Sequence, residues 1–284
     1  MNLRKSERKR AKIKMALQAP AGAGKTYSAL LLAKGLTKGD FENVAIIDTE
    51  NGSADLYAHL GPYKVLPLDS PHSPERYIQA IEICEKEGVE VIILDSITHC
   101  WEFLLEYHAS LAGNSFTNWN KVTPRQKAFI NKILQSPCHI ISTIRTKQDY
   151  VLNQKDGKYI PEKVGLKAIQ RGEIDYEFTL VFDIDIKHHA LASKDRTGLF
   201  MDKPEFTLNS NTGSKILQWC NSTITLPELQ HKIQECSTNR ELTKLYSEHK
   251  DLAKQLEQEF IKKQKLLNDL THQKNYSKNG TTNS

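Results

Sequence analysis

The sequence has few cysteines and no long apolar segment. Its five cysteines in 284 residues are widely separated, and none forms a C-x-x-C pair. This spacing argues against a disulfide framework or a zinc site and is typical of free thiols in a reducing compartment. No apolar run approaches the roughly 20 residues that span a bilayer. The basic start MNLRKSERKRAKIK has no apolar stretch after it, so we expect a cytoplasmic protein with no secretory signal and no membrane partner.

Composition bounds the class of protein only loosely. The net charge is +5, charged residues make up 26% of the chain and hydrophobic residues make up 39%. This supports a sizeable core, and the mild positive charge permits an anionic partner without requiring one. The length suits one domain of ordinary size with an appendage.

Short apolar segments alternate with segments of helical length over most of the chain. The first four apolar segments are IKMALQAP, NVAIIDTE, VEVIILDS and CHIISTIR, and two partly alternating ones, EFTLVFDIDI and HHALASKD, follow. The intervening TYSALLLAKGL and SPERYIQAIEICEKEG have helical length and helical residue types. Alternating strands and helices predict an α/β domain with a mostly parallel central sheet.

The composition changes near residue 223. The stretch from TLPELQ to LLNDL contains no glycine, and its leucines and isoleucines recur at helical spacing. We predict two or three helices there, with STNRE as a break that carries its own cap. The expected organisation is a basic tail at 1–12, the α/β domain at 13–222, a small helical accessory region at 223–271 and a disordered tail at 272–284.

The segment APAGAGKTYS, residues 19–28, resembles a phosphate-binding loop. It fits G-x-x-x-x-G-K-[ST], with Ala19 in the first glycine position, between a predicted strand and a predicted helix. Glycines let successive N–H groups turn toward one point, and the helix adds the positive end of its dipole. The alternative is a flexible strand–helix turn. The predicted nucleotide contacts are Ala21, Gly22, Ala23, Gly24, Lys25, Thr26 and Tyr27, with Lys25 also assisting catalysis at the outer phosphates.

Two acidic residues complete the predicted catalytic machinery. Asp95 ends a buried strand, where a carboxylate needs a cationic partner, and Mg²⁺ shared with the Thr26 hydroxyl would supply one. A capping role for Asp95 is the alternative. The next residue is Ser96, so the water-activating acid must come from another strand. We predict Glu50 as the general base. Asp48 is a lesser candidate for this role, and a buried, hydrogen-bonded position is the alternative for Asp48.

With these residues assembled, the chain resembles RecA-type P-loop ATPases. VAIIDTENGSADLYAHLG resembles the segment in which their catalytic glutamate closes a strand, and VIILDSI resembles their magnesium-binding strand. HIISTIRTK resembles the strand that leads toward their DNA-binding loop, and it puts Thr143 where these proteins often carry a longer polar side chain that contacts the γ-phosphate. The resemblance implies a RecA-like P-loop core that binds ATP and Mg²⁺.

A closer similarity, over roughly residues 13–220, is to phage-type RecA-like ATPases. It rests on IPEKVGLKAIQRGEIDYEF and DIDIKHHALASKDRTGLF. It implies single-stranded DNA as a partner, in recombination or annealing, and a homo-oligomer with ATP at subunit interfaces. It also puts Lys194 and Arg196 where a basic pair reaches the γ-phosphate of the neighbouring subunit. The alternative for this pair is a solvent-facing basic turn.

The segment between Lys147 and Arg171 is the predicted nucleic-acid surface. Basic side chains can follow a phosphate backbone while aromatic rings stack on bases. We predict a mobile loop, and an ordinary charged loop is the alternative. The contact residues proposed are Lys147, Tyr150, Lys155, Lys158, Tyr159, Lys163, Lys167 and Arg171. The neighbouring His188 and His189 are not expected to share a metal ion, because adjacent strand residues point to opposite faces.

Three functions are compatible with these features. The first is a Mg²⁺-dependent ATPase that acts on single-stranded DNA. The second is a nucleotide-gated binding or scaffold protein with little hydrolysis, and the third, less favoured, is a small-molecule kinase. The C-terminal helices could in each case bind a protein partner. ATP is the expected nucleotide, because no guanine-reading aspartate motif is evident.

Overall fold

The computed structural model describes residues 11–155, 158–171, 174–221 and 226–279, and for residues 148–166, 251 and 270–279 it describes the backbone alone. The chain divides into two compact units. One is Lys12–Cys220, and the other includes Asn221–Ser284. Residues 1–10 of the predicted basic tail lie outside the described residues.

The first unit is an α/β domain with a mostly parallel central sheet, as the sequence predicts. The sheet order is β3-β2-β4-β5-β1-β7-β8, with β6 paired to β5. Strand β8 is antiparallel to β7 and β6 is antiparallel to β5, whereas the other neighbours are parallel. The strands are β1 Lys14–Ala19, β2 Val44–Asp48, β3 Lys64–Pro67, β4 Val91–Asp95, β5 His139–Lys155, β6 Lys158–Ala168, β7 Leu180–Ile184 and β8 Ala190–Asp195.

Helices cover both faces of this sheet. They are α1 Lys25–Leu36, α2 Pro74–Lys86, α3 Thr98–Ser110, α4 Ser115–Gln135 and α5 Ser210–Asn221. All five residues of β2 and of β4 are buried, which explains their continuous apolar sequences. One core cluster joins Leu17 of β1 to α1 and α5, and a second joins Ala16 to α2 and α4. Because these strands are parallel, the carboxyl ends of β1, β2 and β4 and the part of β5 near Arg145 reach one edge of the sheet.

Helices α1 and α5 touch backbone to backbone at two glycines. A Cβ atom on Gly35 would lie 2.0 Å from the carbonyl oxygen of Ser210, and one on Gly213 would lie 2.2 Å from the carbonyl oxygen of Leu32. Because no real Cβ atom fits at such distances, glycine at both positions permits this contact. It fixes the helix that begins at the phosphate-binding loop.

The segment predicted as a mobile loop is instead a β-hairpin. Strand β5 continues past its buried part to Lys155, and β6 returns antiparallel to it from Lys158 to Ala168. The sequence does carry a hairpin signal here, since Asp156-Gly157 separates two stretches of strand-forming residues. The high proportion of polar residues obscures that signal.

The second unit is helical. Its helices are α6 Leu226–Glu235, α7 Asn239–Glu248, α8 Lys250–Gln255 and α9 Glu257–Asn279. The cap predicted within STNRE is present, because the Thr238 side chain accepts a hydrogen bond from the N–H of Glu241 and the Glu241 side chain accepts one from the N–H of Ser237. A small core surrounds Leu229, Ile233 and Phe260.

The expectation of a disordered tail from residue 272 is wrong for residues 272–279. Helix α9 continues to Asn279 because neither glycine nor proline interrupts it before Gly280. Residues 280–284 lie outside the described residues. Among the helices described, none combines the length and the apolar character that crossing a membrane requires.

Candidate functional site

The phosphate-binding loop joins the end of β1 to the start of α1. Gly22 and Gly24 have φ angles of 79° and 83°, in the left-handed region that favours glycine. Gly24 is the N-cap of α1, so the unpaired N–H groups of the first helical turn face the loop. The Lys25 ammonium group donates to the carbonyl oxygens of Ala19 at 3.1 Å and Pro20 at 2.9 Å. The free N–H groups and the ammonium group give the loop positive character.

A cavity of about 760 Å³ opens on this loop. Of the seven predicted loop contacts, all but Ala23 line it. Ala23 is fully buried, and its carbonyl oxygen instead accepts a hydrogen bond of 3.1 Å from Nδ1 of His188. Burial lowers the pKa of Lys25, and the charges of Asp95 and Glu50 oppose that shift. Six of the predicted nucleotide residues thus share one cavity with Glu50 and Asp95.

Thr26 and Asp95 meet at the floor of the cavity. The Thr26 hydroxyl donates to Oδ2 of Asp95 at 2.5 Å, and the hydroxyl of Thr143 donates to Oδ1 of the same carboxylate. Burial raises the pKa of Asp95, and these two hydrogen bonds oppose the shift. Thr143 is fully buried and is not among the lining residues of the cavity. It contacts the aspartate that the sequence assigns to Mg²⁺, rather than the cavity itself.

Glu50 follows β2 and lines the same cavity. Both of its carboxylate oxygens are engaged by Arg145: Nε donates to Oε1 at 3.0 Å, and Nη2 donates to Oε2. Burial alone would raise the pKa of Glu50, but the hydrogen bonds and the charge of Arg145 hold that pKa below its usual value. Asp48 is buried and accepts from the N–H groups of Glu50 and Ala54. Asp48 therefore shapes the loop that presents Glu50.

The opposite part of the cavity is more apolar. The rings of Tyr27 and Tyr57 lie 5.6 Å apart between centroids, and Leu31 and Leu208 line the cavity beside them. Aromatic and aliphatic surface next to a phosphate-binding loop can receive the flat ring of a nucleobase.

Comparison with protein families assigns the chain to a known group. The family model of the AAA domain matches residues 11–220. This chain belongs to the AAA-domain family. The match covers the whole phosphate-binding site and ends where the first compact unit ends. This family is one of AAA-type P-loop ATPases, and such ATPases generally bind ATP and Mg²⁺.

A solved structure is also similar to this chain. It is that of a KaiC-like protein from the hyperthermophilic archaeon Pyrococcus horikoshii OT3, with 16% sequence identity and a TM-score of 0.42. The alignment covers 70% of this chain and 87% of that protein. A comparison with curated proteins finds no match.

The predicted basic pair of the AAA domain lies away from its own cavity. Nζ of Lys194 donates to the carbonyl oxygen of Asp175 at 2.7 Å, and Nη2 of Arg196 donates to that of Tyr176 at 3.2 Å. Neither is among the residues that line the cavity. The Asp195 carboxylate between them accepts hydrogen bonds from four backbone N–H groups, those of Thr197, Gly198, Phe200 and Met201. These hydrogen bonds brace the turn that follows β8, directly beside the pair.

The predicted nucleic-acid residues lie along the hairpin and just beyond it. Lys147 and Lys167 are exposed and directly opposite each other on β5 and β6, and Arg171 is half-buried. The backbone register also pairs Lys155 with Lys158 and Tyr150 with Lys163, and it places Tyr159 opposite Gln154. The side chains of Tyr150, Lys155, Lys158, Tyr159 and Lys163 lie outside the described residues.

The residues that line the cavity of the AAA domain and that sequence reasoning missed include Tyr57, Arg145 and His188. Arg145 carried a usable signal, because it follows the buried part of a strand whose end reaches the nucleotide edge of the sheet. His188 had none, since its position depends on the turn between β7 and β8. That residue has a φ angle of 69°, which directs the turn over the phosphate-binding loop.

Proposed function

We propose that this AAA domain is a Mg²⁺-dependent ATPase that acts on single-stranded DNA in recombination or annealing. One observation carries the ATPase part. A single cavity is lined by the phosphate-binding loop, by the Thr26–Asp95 pair and by Glu50. Phosphoryl transfer to water needs these three elements: a cradle for phosphate charge, a metal site and a group that accepts a proton.

The residues at the cavity floor fit Mg²⁺. Asp95 is nearly wholly buried, and within the described part of the chain no lysine or arginine forms an ion pair with it. A buried carboxylate with a raised pKa gains stability from a cation, and carboxylate and hydroxyl oxygens are ligands that Mg²⁺ accepts. Thr26 and Asp95 would hold the ion. When bound, the ion would neutralise charge on the outer phosphates.

The chain's own groups would carry the remaining steps. Lys25 and the N–H groups of the loop would bind the phosphates, and Tyr57 would contact the base. The oxygen of a water molecule forms a bond to the γ-phosphorus as the bond from that phosphorus to the bridging oxygen breaks, and the leaving group is ADP. Glu50 would accept the proton of the water.

The hairpin supports the DNA part of the proposal. Two exposed lysines, Lys147 and Lys167, stand opposite each other on paired strands. Like charges in that position repel and destabilise a bare hairpin, and an anionic backbone between them removes the penalty. Strand β5 connects these lysines directly to the nucleotide edge of the sheet.

A homo-oligomer with ATP at subunit interfaces is part of the same proposal. Lys194 near the end of β8 and Arg196 just after it do not line their own cavity, which suits a role at the cavity of a neighbour. The helices of the second unit would offer a surface for a protein partner.

The deciding measurement is ATP turnover by the purified chain, with and without single-stranded DNA. We expect DNA to stimulate turnover and Glu50→Gln to lower it by about 100-fold or more, the usual contribution of a general base. Glu42→Gln, which changes an exposed carboxylate outside the cavity, is the matched control. Turnover that neither DNA nor Glu50→Gln affects would refute both the DNA-dependent function and the role of Glu50.

A second function is supported by the contact between Glu50 and Arg145. A carboxylate whose two oxygens both accept from a guanidinium is a poor base. A nucleotide-gated binding protein with little hydrolysis would show this arrangement throughout its cycle. Such a protein would bind ATP and change its affinity for DNA, with a turnover rate that Glu50→Gln leaves unchanged.

A further inference from the structure

Arg145 is the cationic partner of the proposed base and shares its cavity. The guanidinium contacts both oxygens of Glu50 through Nε and Nη2. The cavity is lined by four charged groups, those of Lys25, Glu50, Asp95 and Arg145. The charges of Glu50, Asp95 and Arg145 each affect the pKa of Lys25. Arg145 is thus close to the place where Lys25 would meet the outer phosphates.

The backbone of Arg145 is held on both sides, whereas its side chain is not enclosed. Its N–H donates to Oγ1 of Thr98 at 2.9 Å, and its carbonyl oxygen accepts from the N–H of Ile169 at 2.8 Å. The Arg145 side chain is 38% exposed, against 19% for that of Glu50. A change of partner therefore requires rotation of one side chain and no movement of the sheet.

The chemistry of the guanidinium selects the competing partner. Its planar fork forms paired hydrogen bonds with phosphate as readily as with carboxylate. A terminal phosphate carries a larger negative charge than one carboxylate. A nucleoside triphosphate bound at the loop would present its γ-phosphate beyond the β-phosphate, whereas a diphosphate ends at the β-phosphate.

We propose that Arg145 recognises the terminal phosphate of a nucleoside triphosphate and in doing so releases Glu50. The inference rests on the proposed function, since it takes the loop to be a nucleotide site. Arg145 then has two roles. It distinguishes triphosphate from diphosphate, and it keeps the base inactive until a hydrolysable phosphate is bound.

Release changes what Glu50 can do. While paired, its two oxygens are occupied and its pKa is held low, so it accepts a proton poorly. Once Arg145 has moved to the phosphate, one oxygen is available to a water molecule. Partial burial of Glu50 then favours the protonated form and makes it a stronger base.

The test compares two dissociation constants, one for ADP and one for the non-hydrolysable triphosphate adenylyl imidodiphosphate. Both are measured by calorimetry on the full chain with Mg²⁺. We expect the wild type to prefer the triphosphate. Arg145→Ala should reduce that preference by about 10- to 100-fold, the effect of losing charge-assisted hydrogen bonds. Glu50→Gln should increase the preference, because an amide competes less well than a carboxylate for Arg145.

Arg125→Ala provides a matched control. Arg125 makes the same two-point contact with Glu75, through Nε at 2.8 Å and Nη2 at 2.7 Å, outside the cavity. Arg125→Ala should leave the preference for the triphosphate over ADP unchanged. Arg145→Lys, which keeps the charge and loses the fork, should give an intermediate preference and tests the proposal even if Arg145→Ala does not fold.

Two outcomes would overturn the inference and leave the proposed function intact. One is an equal loss of affinity for both nucleotides in Arg145→Ala, which a purely structural role would cause. The other is a lower triphosphate preference in Glu50→Gln. A wild-type chain that binds neither nucleotide would instead refute the proposed function, and the role of Arg145 with it.

Discussion

The hydroxyl of Thr26 and the carboxylate of Asp95 are joined by a hydrogen bond of 2.5 Å, which links the first turn of α1 to the end of β4. The two residues are 69 positions apart in sequence. Their contact depends on β4, β5 and β1 lying side by side in the sheet. It places a hydroxyl and a nearly wholly buried carboxylate at one point, beside the phosphate-binding loop.

This contact predicts that Asp95→Asn removes the effect of Mg²⁺ on nucleotide binding. We expect chelation of Mg²⁺ to weaken ADP binding by the wild type about tenfold or more, because Thr26 and Asp95 would hold an ion that neutralises phosphate charge. The amide that the substitution introduces is a weaker ligand, so chelation should have little effect on the variant. Titration calorimetry with and without a chelator measures both values. Asp202→Asn, at an exposed carboxylate outside the cavity, should behave as the wild type does.

The contact between α1 and α5 predicts a large loss of stability on small substitutions. Gly35→Ala or Gly213→Ala would put a methyl group about 2 Å from a backbone carbonyl oxygen of the other helix. We expect the free energy of unfolding to fall by about 1–3 kcal/mol or more, because the helices must separate. Urea denaturation measures it. Lys215→Ala, at an exposed position of α5, is the control. If the glycine variants were as stable as Lys215→Ala, the two helices would not meet as described.

Buried His139 predicts a dependence of stability on pH. Its Nδ1 accepts from the N–H of Ile13 at 3.0 Å, and burial, with the charges of Lys12 and Lys14, lowers the pKa of His139 to about 3. Between that value and its ordinary pKa near 6.5, the unfolded chain binds a proton that the folded chain does not. Stability is therefore fully present above about pH 6.5 and decreases toward lower pH, by about 1.4 kcal/mol per pH unit from this residue.

His139→Asn should remove this pH dependence from the free energy of unfolding. The asparagine Oδ1 can accept the hydrogen bond from the N–H of Ile13, and the amide does not titrate in this range. The measurement is the free energy of unfolding at pH 7, 6 and 5. Exposed His59, replaced in the same way, should leave the slope as it is. An unchanged slope in His139→Asn would mean that His139 is protonated in the folded chain.

The exposed hairpin lysines predict how DNA affinity depends on salt. Replacing Lys147 and Lys167 by alanine should weaken binding of a single-stranded oligonucleotide and reduce the slope of log K against log salt by about 1.4, or about 0.7 per lost phosphate contact. Fluorescence anisotropy at several salt concentrations measures this. The control is a second double variant with the same net charge, in which alanine replaces the exposed Lys86 of α2 and Lys121 of α4. Equal slopes in the two double variants would show that DNA binds elsewhere.

The sequence predicted what depends on local patterns. The loop around Gly24, the buried strand that ends at Asp95 and the cap at Thr238 are all encoded within a few residues. The four-residue edge strand β3 was missed, because its partly exposed side chains lack the apolar run of its neighbours. The contact between Glu50 and Arg145 joins residues 95 positions apart. No local pattern indicates where those two side chains point, so only the assembled sheet reveals their contact.

The position of β1 within the sheet also determines when the phosphate-binding loop can become functional during synthesis. The loop precedes β5 and β7 in the chain and so leaves the ribosome before them, yet Lys14 pairs with Ile140, and Met15 pairs with both Ile141 and Leu180. A growing chain that does not yet include β5 and β7 leaves the apolar strand β1 without backbone partners on one or both sides. Such a strand can pair with another chain. Translation must therefore pass β7 before the nucleotide site can form, and nucleotide cannot assist the folding of any shorter nascent chain.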